Sequence, residues 1–404
     1  MYDIRDVPAV KYHELDSNPA WTGEGSQIPI FIGTTGMELG KDEDGSVIST
    51  ETGITIRKFK NYANACKTKQ NGGIGTKTEG NLLLTVLKDF FKESAKKESG
   101  DVGVSYVYVI DVGSAGITES DGRATWLKAM DLAKSKRDVE LEVYVGLNTE
   151  STYKDTKNTD VVALMESAYT SILTDSEDGS PRIAYFTLEN ATDEQLIAIT
   201  NDSKGDGKFI QHSRIGLIEP TCYGRSIARI CVTPYYEEPG YEQFRTIDEG
   251  IFNKRTPEEE KKLQEAGVIF IRDELTRKSV FTRLNLAVST AFSKDEENRP
   301  NDCLIHARRN TDHLIREMYD IAFTQLKRNE TDIMLKHLQT DVNTLVDKEI
   351  KLGNMMTGTQ AFVNESDSNP YTLTIDCNAV PVNSSLAIGF GVYVSDPVVK
   401  ILDK

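Results

Sequence analysis

No stretch of this sequence could cross a bilayer as a helix. Its longest nearly apolar runs, Val104–Val112 and Leu386–Val394, are of strand length, well short of the ~20 residues a spanning helix needs. No membrane insertion is therefore expected. Cysteine is scarce: Cys66, Cys222, Cys231, Cys303 and Cys377 make an odd number with no Cys-x-x-Cys pair. In a chain of 404 residues that predicts buried free thiols in a reducing compartment, not a disulfide framework. The opening Met1-Tyr-Asp-Ile-Arg-Asp is charged from its third residue and has no apolar core after it, so it is no export signal. Synthesis and assembly in the cytoplasm of the producing cell are the expectation. Bases are in deficit, 47 Lys and Arg against 63 Asp and Glu, for a formal net charge of −16. Such a surface repels nucleic acid at long range and favours solubility, so no nucleic-acid partner is expected.

Recognisable chemistry is also missing. There is no His-Glu-x-x-His and no Gly-x-Ser-x-Gly. Gly72-Gly-Ile-Gly-Thr-Lys-Thr has the look of a phosphate loop, but its lysine does not follow a glycine, and a flexible turn is the better reading. Gly40-Lys-Asp42-Glu-Asp44-Gly45, with Glu51 at the twelfth position, resembles a calcium loop whose first ligand is replaced by glycine. Cys303, His306 and His313 could approach one helix face, yet no acid is placed to complete a zinc site. The expectations are no catalytic residue, no metal and no cofactor.

What is present is a globular composition, 38% hydrophobic and 27% charged, long enough for two or three domains. Residues 1–27 read as an extended arm, because Val7-Pro-Ala-Val-Lys-Tyr alternates partly and Pro8 and Pro19 bar a helix. A buried strand is predicted at Ile28–Ile32, and turn-linked short strands such as Gly53–Phe59 over 36–80. From about residue 80, helix and strand alternate. Helices are predicted over Leu82–Lys97, Ala124–Ser135, Thr159–Thr174 and Asp193–Thr200, with strands at Val104–Val112, Val139–Val145 and Arg182–Leu188. That pattern implies an α/β layer with a largely parallel sheet. Thr256-Pro-Glu-Glu-Glu starts a helix that runs to Gly267. A strand is predicted at Val268–Ile271, helices over Asp312–Lys327 and Thr331–Leu352, and strand-like chain from Tyr371 to Lys404. Arg308, Arg309 and Arg316 stand out in an acidic chain, as a solvated helix face or as a docking stripe for an acidic partner.

Several segments, taken in order, resemble the contractile tail sheath proteins of phage tails, R-type bacteriocins and contractile injection systems. At the start these are Val7-Pro-Ala-Val-Lys-Tyr-His-Glu-Leu-Asp and Gly25-Ser-Gln-Ile-Pro-Ile-Phe-Ile-Gly-Thr. Later come Tyr223-Gly-Arg-Ser-Ile-Ala-Arg229, the turn Thr233–Gly240, Leu263–Arg272, Asn285–Thr290 and Ala307-Arg-Arg-Asn-Thr-Asp-His-Leu-Ile. Asn329, Thr331–Leu352, Gly353 and Tyr371–Ile401 follow in the family's order. Ala9 stands where the family usually has glycine, and Val268-Ile-Phe replaces its Ile-Asn core.

The resemblance implies a mixed α/β fold (α+β in part) with an inner domain built from both chain ends. It assigns 1–27 to the inner domain as an arm, 28–265 to an inserted α/β outer domain and 266–404 to the inner sheath domain, with a strand arm from about 385. It implies a structural, non-enzymatic subunit that stacks as hexameric rings around a tail tube and contracts to drive the tube through a target envelope. Partners would be further copies of itself, the tube protein, and baseplate and tail terminator proteins, in a virion or particle tail. Val7, Val10 and Tyr12, with Val398, Val399 and Ile401, would be the arm strands exchanged between subunits. Arg308, Arg309 and Arg316 would face the tube, and residues 38–223 would face outward. The rivals are another shell protein, of a capsid or surface layer, and an α/β enzyme with its site in 80–220.

Overall fold

The computed structural model describes residues 27–48, 53–95, 103–114, 120–147, 159–177, 179–200, 212–240, 243–244, 254–275, 280–292, 304–324, 332–365 and 373–382. The arm residues Val7, Val10, Tyr12, Val398, Val399 and Ile401 lie outside these. Six strands run parallel: β1 (Pro29–Gly33), β3 (Val107–Asp111), β4 (Leu141–Val145), β5 (Ile183–Phe186), β6 (Ile215–Ile218) and β7 (Val268–Ile269). With β2 (Ile56–Phe59), antiparallel to β3, they form a seven-stranded sheet in the order β2-β3-β1-β4-β5-β6-β7. All but β2 are buried at every residue, as strands covered on both faces must be.

Alternate residues of these strands enter two cores, because strand side chains point to opposite faces in turn. Ile30, Ile32, Tyr144 and Phe186 meet Trp126 of α3 (Ser120–Ala133), Leu164 of α4 (Thr159–Glu177), Leu196 of α5 (Asp193–Thr200) and Leu263 of α7 (Pro257–Glu265). Phe31, Val143 and Tyr185 meet Leu84 and Leu87 of α2 (Leu82–Ser94) and Ile227 and Ile230 of α6 (Tyr223–Val232). A short α1 (Tyr62–Ala65) joins that second face. The predicted helix start at Thr256 is a capping box: Thr256 Oγ1 accepts from Glu259 N and Thr256 N donates to Glu259 Oε2 at 2.7 Å.

Beyond the sheet, β8 (Ile271–Leu275) and β9 (Val280–Leu284) form an antiparallel ribbon. The helices α8 (Ile305–Phe323) and α9 (Asp332–Leu352) pack with a second hairpin, β10 (Gln360–Glu365) and β11 (Leu373–Asn378). Their core holds Leu314, Met318, Leu338, Val342, Val346 and Ala361. No described helix is long and apolar enough to cross a membrane.

Two sequence expectations change here. The division at 265/266 falls between α7 and β7, and β7 pairs with β6 in the register Leu217↔Val268, so the main sheet continues across that line. The helix expected from Asp312 starts at Ile305. Its first turns carry Arg308 and Arg309, which oppose the helix dipole and disguise the start.

Helix α6 is buried at all ten residues although it carries Arg225, Ser226 and Arg229. It lies so close to α2 that a Cβ on Gly224 would stand 2.3 Å from the Val86 carbonyl oxygen. Helix propensity alone favours alanine over glycine by about 1 kcal/mol. The backbone clash reverses the sign, so Gly224→Ala is expected to destabilise the fold by about 1–3 kcal/mol, read from the urea midpoint. An unchanged or raised midpoint would show that the two helices can separate at little cost.

Candidate functional site

The strand order reverses at β1, which has β3 on one side and β4 on the other. In open α/β sheets ligands bind in the crevice at the carboxyl ends of the strands beside such a point. Here the polar side chains at the ends of the strands pair with one another. Asp111, which ends β3, accepts from Thr35 Oγ1 at 2.9 Å and pairs with Lys69 Nζ at 2.6 Å, the two charged side chains being only 7% and 1% exposed. The phosphate-loop lookalike holds a carboxylate of its own chain: Thr76 N and Lys77 N donate to Glu43 Oε1, and Thr76 Oγ1 to Glu43 Oε2. Partial burial raises the Glu43 pKa, but these bonds outweigh it and leave the carboxyl below its ordinary value. In the calcium-loop lookalike, Asp42 accepts from the backbone N–H of Glu43, Lys69 and Gln70. Asp42 and Glu43 thus face backbone donors, which is the opposite of a cation's requirement.

The densest buried polar network lies instead where α8 meets the sheet. Asp312 takes a two-pronged bond from Arg214, Nη1 to Oδ2 at 2.7 Å and Nη2 to Oδ1 at 2.9 Å, and a third from Arg308 Nε at 2.9 Å. Arg214 also donates to the carbonyl of Arg182 at 2.9 Å. Arg182 in turn pairs with Glu142 at 2.9 Å, both wholly buried, and closes the end of α3 at the carbonyls of Ala133 and Lys136. Burial holds the Arg214 pKa below the usual arginine value, although the Asp312 carboxylate opposes the shift.

Beside this, Arg309 Nε donates to Gln27 Oε1 at 2.7 Å and Nη2 to the carbonyl of Thr233. Gln27 passes the contact to Glu140 at 2.7 Å. Glu238 joins the turn after α6 to α8 and to the segment Asn285–Thr290 ahead of it: it accepts from Ala287 N at 2.8 Å and faces His306 Nδ1 at 2.8 Å. His313 stacks on Tyr235 with centroids 3.9 Å apart, and burial holds its pKa below the usual histidine value. Where β7 stops, side chains take over the ladder. Asn285 accepts from Phe270 N and donates to the Val268 carbonyl, while Glu219 accepts from Ile271 N at 2.6 Å and from Arg255.

The three arginines expected to face a tube are therefore engaged within the chain. Arg309 is wholly buried, and burial lowers its pKa, so its assignment to a tube-facing surface is corrected. Arg308 is half-buried against Asp312. Arg316, also half-buried, donates to the carbonyls of Arg137, Val139 and Pro181 and ties α8 to the loop ahead of β4 and to the chain entering β5. Sequence reasoning missed the pairing of Arg214 with Asp312, which are 98 positions apart. The available signal was an arginine directly before the buried strand Ile215–Ile218 and an aspartate on the same face as Arg308.

No protein-family model matches the sequence, and no curated protein matches it. Solved structures do match the fold. The helical sheath of the anti-feeding prophage, in its contracted state, superposes with a TM-score of 0.60 at 12% identity, over 96% of this chain and 99% of that one. This chain has the contractile-sheath fold. The sheath complex of an extracellular contractile injection system (PVC), also contracted, gives 0.60 at 10% identity over 96% and 97%. The sheath tail protein of Listeria innocua gives 0.57 at 8% over 90% and 93%. At these identities the likeness is one of fold. Within the fold, four of the segments that carried the sequence resemblance lie near one another: Tyr223–Arg229 is in α6, Leu263–Arg272 spans α7 to β8, Asn285–Thr290 is the strap along β7, and Ala307–Ile315 is the buried half of α8.

Removing Asp312 leaves Arg214 buried without its carboxylate. Asp312→Ala is expected to cost about 3–5 kcal/mol in urea unfolding, whereas the double change Arg214→Met with Asp312→Leu recovers most of it. A single-variant loss below about 1 kcal/mol would mean that water replaces the carboxylate.

Proposed function

We propose that this protein is the structural subunit of a contractile sheath. The observation that carries the reading is a sheath-fold match spanning nearly all of this chain and of the sheath protein it matches. Two features of the chain support it. The cross-links of α8 join helices and sheet into one body, as a collective rigid-body movement requires. The hairpin β10–β11 lies on α9 as a two-stranded sheet of its own, and a lone pair of strands invites completion by further strands.

On this reading the subunits assemble as hexameric rings stacked around a tube and shorten together, with baseplate and terminator proteins at the ends. The arms at 1–27 and from about 385 join neighbouring copies by strand addition, with Val7, Val10, Tyr12, Val398, Val399 and Ile401 setting register. Such a head-to-tail contact does not close on a dimer and so propagates. Tube contact falls to the half-exposed Arg308 and Arg316, and 38–223 faces outward. The role is structural rather than catalytic: the solved structures that share the fold are sheath proteins, and Asp111, the carboxylate at the point where the strand order reverses, is paired with Lys69.

Electron microscopy of the expressed protein tests the whole reading. Hollow tubes with a helical lattice are expected, and closed shells or flat sheets would overturn it. Deleting residues 1–12, or 396–404, is expected to leave a folded subunit with an unchanged circular dichroism spectrum that no longer forms tubes. Normal tubes from either truncation would rule out exchange of that arm.

A further inference from the structure

The buried pair of Lys69 and Asp111 is unevenly supplied with partners. Asp111 Oδ1 accepts from Thr35 Oγ1 at 2.9 Å and from Gly113 N at 2.8 Å. Among the described residues its Oδ2 meets only Lys69 Nζ, at 2.6 Å. That approach lacks the alignment of a hydrogen bond, and Nζ has no hydrogen-bond partner although it is shut off from solvent. An ammonium carries three N–H donors, and a buried donor without an acceptor is costly.

Neither end can move off easily. Directly after Asp111, Val112 N donates to the Gly33 carbonyl at 2.9 Å, and Gly113, with φ of 79°, turns its N–H back onto the carboxylate. Lys69 opens the short turn Lys69–Asn71 between α1 and α2, and the N–H groups of Lys69 and Gln70 both donate to Asp42. An amine and a carboxyl are thus held in contact, out of hydrogen-bond line, with water kept away.

We propose that Lys69 and Asp111 become joined by an intramolecular isopeptide bond once the chain has folded. Lys69 Nζ passes one proton to Oδ2, which leaves a neutral amine against a carboxylic acid. The nitrogen lone pair attacks Asp111 Cγ, and the negative charge that collects on Oδ1 falls where Thr35 Oγ1 and Gly113 N already donate. The Cγ–Oδ2 bond then breaks, and Oδ2 leaves as water with a second proton from Nζ. An amide with one N–H remains, and no oxidant, reductant or outside reactant is used. The reaction discards the oxygen and the two hydrogens that lack other partners and keeps the oxygen that has two. It also removes both charges that burial penalises. Groups fixed in this way react as if at effective concentrations of about 10⁵–10⁸ M. Asp42 and Glu43 close by are not competing acceptors, because backbone N–H groups hold their oxygens. The link would fasten the turn ahead of α2 to the end of β3, and it stands whether or not the chain assembles.

Mass spectrometry of the full chain, folded and then denatured for measurement, tests it. The wild-type protein is expected to be one water lighter than the sequence requires. Digestion should give a branched peptide that contains both Lys69 and Asp111, with no tryptic cut after Lys69. Lys69→Arg, which keeps the charge, and Asp111→Ala should each lose the branch and show no missing water. Chain held in urea from the moment of lysis in an unfolded state should carry its full mass and lose the water only on refolding. Recovery of Lys69 and Asp111 in separate, unmodified peptides from folded wild-type protein would overturn the proposal, whatever the variants do. A missing water that persists in Lys69→Arg, or that maps to an Asp–Gly step such as Asp44–Gly45, would mark a cyclic imide instead and would equally overturn it.

Discussion

Asp312 stands between Arg214 and Arg308, and the seating of α8 against the sheet depends on that carboxylate staying where it is. Bringing these charges out of water is expensive, and the Coulomb return inside the protein roughly offsets it only when the geometry is good. The arrangement is therefore poor as a source of stability and good as a source of definition. An apolar contact tolerates sliding by an ångström, whereas a two-pronged guanidinium–carboxylate bond does not. Helix α8 is held in one register by Arg214 and Asp312, in one rotation by Arg309 on Gln27 and Thr233, and at its far half by Arg316 on three carbonyls.

The same economy governs unpaired backbone. A sheet edge left open is a template for unwanted pairing, and the chain covers several of its edges with side chains. On β2, Lys58 puts a charge on the outermost strand and lays its ammonium 3.5 Å from the Tyr106 ring centre. At β7, Asn285 and Glu219 stand in for the missing ladder partners. On β10 an amide side chain does so, with the same chemistry as the backbone it replaces.

The sequence was most legible where one local rule decided the outcome. Thr256-Pro-Glu-Glu-Glu could only begin a helix, and Val107–Asp111 and Leu141–Val145 could only be strands buried on both faces. Gly353, with φ of 80°, ends α9 where expected, because glycine alone takes that left-handed turn without strain. The reading weakened where polar residues are buried. Arg308 and Arg309 read as a solvated face or a docking stripe, the helix is expected only from Asp312, and no helix is predicted over Tyr223–Arg229, since periodicity counts apolar residues. The partners of Arg309, Asn310 and Asp312 come from Gln27, Thr233, Asn354 and Arg214, distant in sequence, so nothing local reveals that these side chains face inward. The family resemblance found the same segments by order alone, without the chemistry that joins them.

Gln27 carries a further meaning. Its backbone N–H bonds to the Cys231 carbonyl at 3.0 Å, its side chain meets Glu140 and Arg309, and β1, the strand where the sheet reverses its order, begins two residues later. Tension applied to the chain ahead of this residue is not taken up by peeling an outer layer. It enters the molecule at an interior strand and divides at once between α6, β4 and α8. Hydrogen bonds pulled along the strand direction share the load and yield together, whereas bonds at a frayed end open one after another. The residue is thus placed as a mooring point, where a rope tied to the first 26 residues would pull on the keel and not on the rail.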